Sequence, residues 1–329
     1  MTETQSILIV ATPGFNLATT TAFIDPFRAA NYLEGQSLFR WEIASLAGGA
    51  LSASNGLTIG TALLSAAEPS ADIVVVSSSW APEAHASPKL CAFLRRCERQ
   101  GATMVGLDTG AFILADAGLL NGRKATVHYE HIDAFIELHK DVEVTEDLFV
   151  ADGARLTCCG GEASADLALQ ILRERCGDTI ANSAARYLFH QTMRAYGMSQ
   201  LPSLTEPLGR SVPDTVRAAI RLMEIHLEDP LSIPQISDAI RLSQRHLNRL
   251  FTRHLGKTIA LYYRDIRLDR ARGLVTQTEM PLTEVAFASG FRSQVTFNRV
   301  YRQRFGLPPS QDRVEGRVPF EYRAWPMHR

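Results

Sequence analysis

No stretch of this chain approaches the roughly 18 consecutive apolar residues that a membrane-spanning helix needs. Met1–Ser6 carries no basic residue ahead of an apolar core, so no secretory leader is expected and the reading is cytoplasmic. Cysteine is scarce and odd in number: Cys91, Cys97, Cys158, Cys159 and Cys176 in 329 residues. That pattern suits neither a disulfide framework nor a paired-ligand zinc site, and fits a reduced compartment. No metal and no cofactor is expected. Net charge is nearly absent too, at −1.

What is present is an uneven distribution of that charge. Residues 1–210 hold 15 Lys/Arg against 23 Asp/Glu, whereas residues 211–329 hold 19 against 12. A basic C-terminal part on an acidic N-terminal part points to a nucleic-acid module joined to something that must not cling to phosphate. The length also exceeds what one core serves well, so two domains are expected.

The N-terminal part alternates strand and helix patterns. SILIVATPG at 6–14, ADIVVVSSS at 71–79 and TMVGL at 103–107 are short, β-branched runs, as buried parallel strands should be. Amphipathic stretches at 20–33 and 88–100, and a helix from Thr109, fall between and after them. The expectation is an α/β parallel-sheet domain over 1–195. Residues 142–160 read as two strands with Asp152-Gly153 at the turn, followed by helices over about 162–175 and 179–195. Residues 196–213 collect Pro, Gly and Ser and read as a linker. Residues 214–329 show helix patterns only.

Within that all-α part lies a repeat. RHLNRLFTRHLG at 245–256 registers without a gap on VTFNRVYRQRFG at 295–306. Leu247, Leu250, Phe251 and Leu255 match Phe297, Val300, Tyr301 and Phe305, and each segment ends in glycine, Gly256 or Gly306, placed as a helix C-cap. Upstream, Ile233, Ile236 and Ala239 recur as Leu282, Val285 and Ala288, and Ser243 and Ser293 stand where the second helix needs an N-cap. A short helix, a turn and a capped second helix, found twice, is a double helix-turn-helix pattern.

Apolar positions on each second helix are committed to packing, so the polar remainder is informative. It comprises Gln244, Arg245, Asn248, Arg249 and Arg253, then Gln294, Thr296, Asn298, Arg299 and Arg302. Arginine can pair bidentately with guanine, and Asn or Gln with adenine. The competing reading is a packing module with surface arginines; duplication, capping and charge together weigh against it. TIALYYRDIRLDRARGLVTQ at 258–277 should be one connecting helix holding two reading heads in successive major grooves, about 34 Å apart.

Residues 214–313, to the closing RQRFGLPPSQDR, resemble the AraC/XylS family of transcription regulators. That resemblance implies a seven-helix domain that recognises promoter DNA and usually recruits RNA polymerase. GLDTGAFILADAGLLNGRKATVHYE at 106–130 and DLFVADGARLTCCGG at 147–161 carry a second resemblance. They are similar to the class I glutamine-amidotransferase-like, PfpI-type domain, of flavodoxin-like fold, found in the GlxA subgroup of those regulators. The sharper match is to the branch sensing glycine betaine, carnitine or arginine and activating catabolic genes.

Catalytic members of that superfamily present a cysteine at the strand-to-helix elbow; here the position is Asp108. A helix N-terminus there should keep a carboxylate ionised. His128 falls where the family's histidine tends to be, though a lone His beyond a strand is more often a satisfied polar residue. Cys158 and Cys159, in an apolar strand, are expected to be buried and inert. A small-molecule effector is therefore expected outside the carboxyl ends of the strands. Its candidate contacts are Phe15, Asn16, Trp80, Asp108, Thr109, His128 and Tyr129. Aromatics plus a carboxylate favour a cation. A DNA-tethered hydrolase or amidotransferase, and a domain that only dimerises, remain the alternatives; a homodimer through the N-terminal domain is expected from the resemblance.

Overall fold

The computed structural model describes residues 4–67, 70–200 and 212–315. The chain divides into two compact units at Gln200 and Leu201. Most of the anticipated linker, residues 201–211, lies outside the described residues, as do residues 316–329 of the C-terminal part.

The first unit is built on an eight-stranded sheet, in the order β3-β4-β2-β1-β5-β6-β10-β9. Its strands are β1 (Gln5–Ala11), β2 (Phe39–Ser45), β3 (Gly49–Ser52), β4 (Thr58–Leu63), β5 (Ile73–Ser78), β6 (Thr103–Asp108), β9 (Phe149–Asp152) and β10 (Arg155–Cys158). The six inner strands run parallel, while β3 and β9 pair antiparallel at the two edges. A separate small pair, β7 (Lys124–Ala125) and β8 (Glu143–Val144), completes the strands. Among the described residues its α-helices are α1 (Leu17–Glu34), α2 (Pro88–Arg99), α3 (Gly110–Asp116), α4 (Ile132–Leu138), α5 (Ala163–Cys176) and α6 (Asp178–Tyr187).

The period of two in each strand explains the layering. Along β1, Ile7 and Ile9 enter the core beneath α1, α5 and α6, while Leu8 and Val10 enter the core beneath α2, α3 and α4. Both faces are covered, which is why β1 and β5 are apolar without alternation. The chain leaves β1 towards β2 on one side and returns to β5 on the other. The gap beyond the ends of β1 and β5 is therefore a topological switch point, where open α/β sheets bind ligands.

Three differences from the sequence reading have local causes. The helix expected over 179–195 stops at Tyr187, because Phe189 takes a left-handed backbone (φ 57°). Beyond it, His190 and Arg194 are drawn onto the wholly buried Asp166 carboxylate at 2.8 and 2.7 Å. Residues 196–200 stay on the first unit: the Leu148 N–H donates to the Met198 carbonyl, and the Gln200 amide donates to Thr126 and to the Val127 carbonyl. The turn of the expected hairpin is Gly153-Ala154, between β9 and β10.

The second unit holds seven helices among its described residues, the number the resemblance implies. They are α7 (Asp214–Ile225), α8 (Ile233–Ile240), α9 (Gln244–Leu255), α10 (Ile259–Gln277), α11 (Leu282–Ala288), α12 (Gln294–Phe305) and α13 (Pro309–Glu315). Two small cores form. Ile236, Leu247 and Phe251 close one with α7, and Val285, Phe297 and Tyr301 dominate the other. α10 feeds both, giving Ile259 and Tyr263 to the first and Leu268, Ala271, Leu274 and Val275 to the second. Among the described residues no helix is long and apolar enough to cross a membrane.

Candidate nucleic-acid interface and effector site

The repeat read from sequence folds as two like hairpins of helices. Ser243 caps α9 by accepting from the His246 N–H, and Ser293 caps α12 by accepting from the Thr296 N–H. Gly256 and Gly306 close both helices in the left-handed region, at φ 70° and 78°. The turns ahead of them also match: Arg241 ends α8 at φ 58°, and Gly290 follows α11 at φ 74°. Gly290 has no alternative, because a Cβ there would lie 2.5 Å from both the Leu227 carbonyl and Pro230 Cγ.

Two sets of arginine stand out in this unit, beside exposed Arg221, Arg241 and Arg292 on other elements. One set is spent on the fold: Arg272 bonds Asp312, Arg267 donates to the Gly290 carbonyl, and Arg304 grips Asp265 and Asp269. Asp265 on α10 also takes Lys257, from just beyond α9, at 2.6 Å, so one carboxylate ties the ends of both reading helices to the connector. The other set is Arg245, Arg249 and Arg253 on α9 with Arg299 and Arg302 on α12. All five are exposed and make no ion pair among the described residues, and Arg249 Nη2 lies 3.5 Å from His246 Nδ1 one turn earlier. Gln244, Gln294, Thr296 and Asn298 are exposed with them. Free guanidinium groups on two capped helices provide charge for phosphate and forks for base edges.

Asn248 departs from the sequence reading. It is half-buried, and its Oδ1 accepts the Ile259 N–H at 3.1 Å, pinning the start of α10 to α9. Fifty residues on, the position equivalent to Ile259 is Pro309, which has no N–H to give. Asn298 is thereby left exposed. Two asparagines identical in the repeat thus do different work, and only the partner fifty residues away from Ile259 signals it in the sequence.

In the first unit the elbow is formed where β6 ends. Asp108 adopts φ 58°, uncommon for a residue with a side chain. Gly110 must follow, since a Cβ on it would sit 2.1 Å from the Val76 carbonyl. Asn16 caps α1 by accepting the Thr19 N–H with its amide oxygen, which turns its NH2 towards Asp108 Oδ2 at 3.1 Å. The Asp108 carboxyl is 4% exposed. Burial pushes its pKa up to about 6; His128 and hydrogen bonds from Asn16 and Ser79 pull it back, and Glu130 pushes it further. Burial thus narrows the pH range over which this carboxylate is charged, leaving it mostly ionised only above about pH 6.

The other expected contacts divide. Trp80 lies against Gly14, and its Nε1 is buried without a hydrogen-bond partner among the described residues. His128 is half-buried, accepts the Glu130 N–H at Nδ1, and faces Tyr129, whose ring is 51% exposed. Phe15, by contrast, is fully buried among Ala11, Leu51 and Ala53, so its ring is committed to packing beneath the end of β1. Thr109 is buried as well and spends its hydroxyl on the Ser79 carbonyl at 2.7 Å, a positioning contact. The sequence reading missed the hydroxyls beneath the switch point, where Thr12 donates to Ser78 and Thr20 meets Ser77. The visible signal was the run Ser77-Ser78-Ser79 at the end of an apolar strand.

Cys158 and Cys159 are buried, and sharing a hydrogen with Cys158 together with burial pushes the Cys159 thiol up, away from thiolate. A cavity of about 420 Å³ also opens on the first unit, lined by Asn182, Arg186, Phe189, His190 and Met193 among others. None of the elbow residues lines it.

The comparisons with known proteins cover both units. Residues 5–174 match the DJ-1/PfpI family, and residues 236–314 match a helix-turn-helix domain. The chain is similar to the HTH-type transcriptional regulator CdhR of Pseudomonas aeruginosa, 37% identical over 94% of this chain and 92% of that protein. It is similar to the HTH-type transcriptional regulator GlxA of Rhizobium meliloti, 33% identical over 93% of this chain and 94% of that protein. Among solved structures, it resembles an AraC family transcriptional regulator from Pseudomonas putida. That match has a TM-score of 0.51 and 26% identity over 56% of this chain and 99% of that chain.

Proposed function

This chain belongs to the AraC-family transcription regulators that carry a DJ-1/PfpI domain, and from that premise we propose a ligand-responsive activator that works in the cytoplasm. Its DNA-binding unit enters two successive major grooves with α9 and α12. The observation that carries this reading is the placement of arginine: five exposed guanidinium groups that make no ion pair among the described residues project from the two helices, while Arg272 and Arg304 are spent on carboxylates within the unit. Footprinting on promoter DNA tests it. Arg249→Ala and Arg299→Ala are each expected to weaken protection of one half-site by 5-fold or more, since a good arginine-guanine pair contributes about 1–3 kcal/mol. Unchanged protection by both variants would refute it.

The elbow is proposed as the effector site. Its ligand is a small cationic or zwitterionic metabolite: Asp108 supplies the negative charge, Trp80 and Tyr129 supply aromatic faces, and the unpartnered Trp80 N–H asks for an acceptor on the ligand. With Asp108 in place of a thiol nucleophile, the domain senses rather than turns over its ligand. Effector binding that favours the DNA-competent state by about 1–3 kcal/mol changes DNA affinity 5- to 150-fold. A second copy of the chain, held through the first unit, and RNA polymerase complete the proposed assembly. A thermal-shift screen of betaines, carnitine and basic amino acids on the full chain tests the effector class, because a bound ligand raises the melting temperature by mass action. No shift from any cationic member would refute it.

A further inference from the structure

We propose that Val295 reads the 5-methyl group of a thymine in the half-site entered by α12, so that the two reading helices demand different bases at equivalent positions. The inference rests on the assignment of α12 as a DNA-reading helix.

α12 treats its apolar residues in two ways. Phe297, Val300 and Tyr301 are 7% exposed or less, whereas Val295 is 79% exposed. Helical spacing places Val295, Asn298, Arg299 and Arg302 on one face at i, i+3, i+4 and i+7. That is the face carrying the free arginines, and Val295 stands in its first turn, just after the Ser293 cap. Residues near the N-terminus of a reading helix are the ones that meet base edges.

A valine there can neither donate nor accept a hydrogen bond. Of the four bases, only thymine offers an apolar group, its C5-methyl, to the major groove. Facing cytosine instead, the same valine would strip water from an amino donor and return nothing. Fifty residues earlier, the equivalent position is Arg245, exposed and free, whose fork suits guanine. The two heads share a fold yet differ at this position, which argues for a directional DNA site whose two halves are not copies of each other.

The test uses the full chain and a DNA site that it enriches from a random library. Each thymine of that site is replaced in turn by deoxyuridine, which removes only the methyl group. Burying one such group is worth about 0.8 kcal/mol, or roughly 4-fold in affinity. The expected result is a loss of that size at a thymine in the half-site whose protection depends on Arg299. In Val295→Ser the same thymine should become indifferent to the replacement, with the melting temperature unchanged. Indifference of every thymine in that half-site in the wild-type chain, or sensitivity that survives Val295→Ser, overturns the inference while leaving the DNA-reading assignment intact. Failure to enrich any sequence, with Arg249→Ala and Arg299→Ala binding DNA as wild type does, would overturn that assignment and this inference with it.

Discussion

Replacing Asp108 by Asn should make the protein more stable at neutral and alkaline pH. The Asp108 carboxyl titrates at about 6 in the folded chain against an ordinary value of 3.8, chiefly because burial penalises its charge. A difference of about two pKa units corresponds to roughly 3 kcal/mol of folding free energy lost once the group is ionised. The sign follows from the direction of the shift. Because the folded-state pKa is raised, the stabilising contribution is complete below about pH 4. It is lost progressively as the pH rises through about 6, and above 7 the folded chain bears the whole cost. Asparagine is neutral at every pH, nearly isosteric, and among the side chains best suited to φ 58°. Its amide oxygen can still accept from Asn16. Scanning calorimetry of the full chain between pH 4 and 8 should show the two proteins converging near pH 4. They should separate by up to about 6–12 °C for the first unit above pH 7. The variant should also lose the thermal response to a cationic effector. A variant with the wild-type pH slope, or one less stable at pH 8, would refute the claim that desolvation dominates at the elbow.

Gly290→Ala should lower the melting temperature of the second unit by roughly 8 °C or more, reflecting a loss of at least about 2 kcal/mol, because its Cβ would overlap the Leu227 carbonyl. A loss under 1 kcal/mol in urea would show that the turn relaxes instead. The two repeat asparagines should separate cleanly. Asn248→Ala is expected to cost about 1 kcal/mol of stability through the lost Ile259 bond. Asn298→Ala should leave stability within about 0.5 kcal/mol and weaken DNA binding roughly 5-fold or more in gel-shift titrations.

The parts legible in sequence were those whose cause is local. β1, β5 and β6 announce themselves as β-branched runs buried on both faces. α9 and α12 announce themselves by their serine caps, glycine ends and matched apolar positions. β2, β3 and β4 went unread because Phe39–Ser45 mixes Arg40 and Glu42 into its pattern and Thr58–Leu63 lies near an edge, where exposure dilutes periodicity. At the sites the limit was the same. Arg249 and Arg299 are informative because both are exposed and no carboxylate among the described residues claims them. Asn248 and Phe15 look equally available until Ile259 and Leu51 arrive from elsewhere in the chain. Burial of Asp108 is also non-local, being set by the segments after β1, β5 and β10, so its shifted titration could not be read from the elbow alone.

Asp265 holds Lys257 and Arg304 at once, on a helix that gives side chains to both small cores. On the proposed reading, a connection of that kind ties the spacing of the two heads to one helix, and the operator is expected to supply the matching helical phase. One base pair inserted between the half-sites would turn the second by about 35°. The chain could then seat one head or the other, and the benefit of engaging both would vanish.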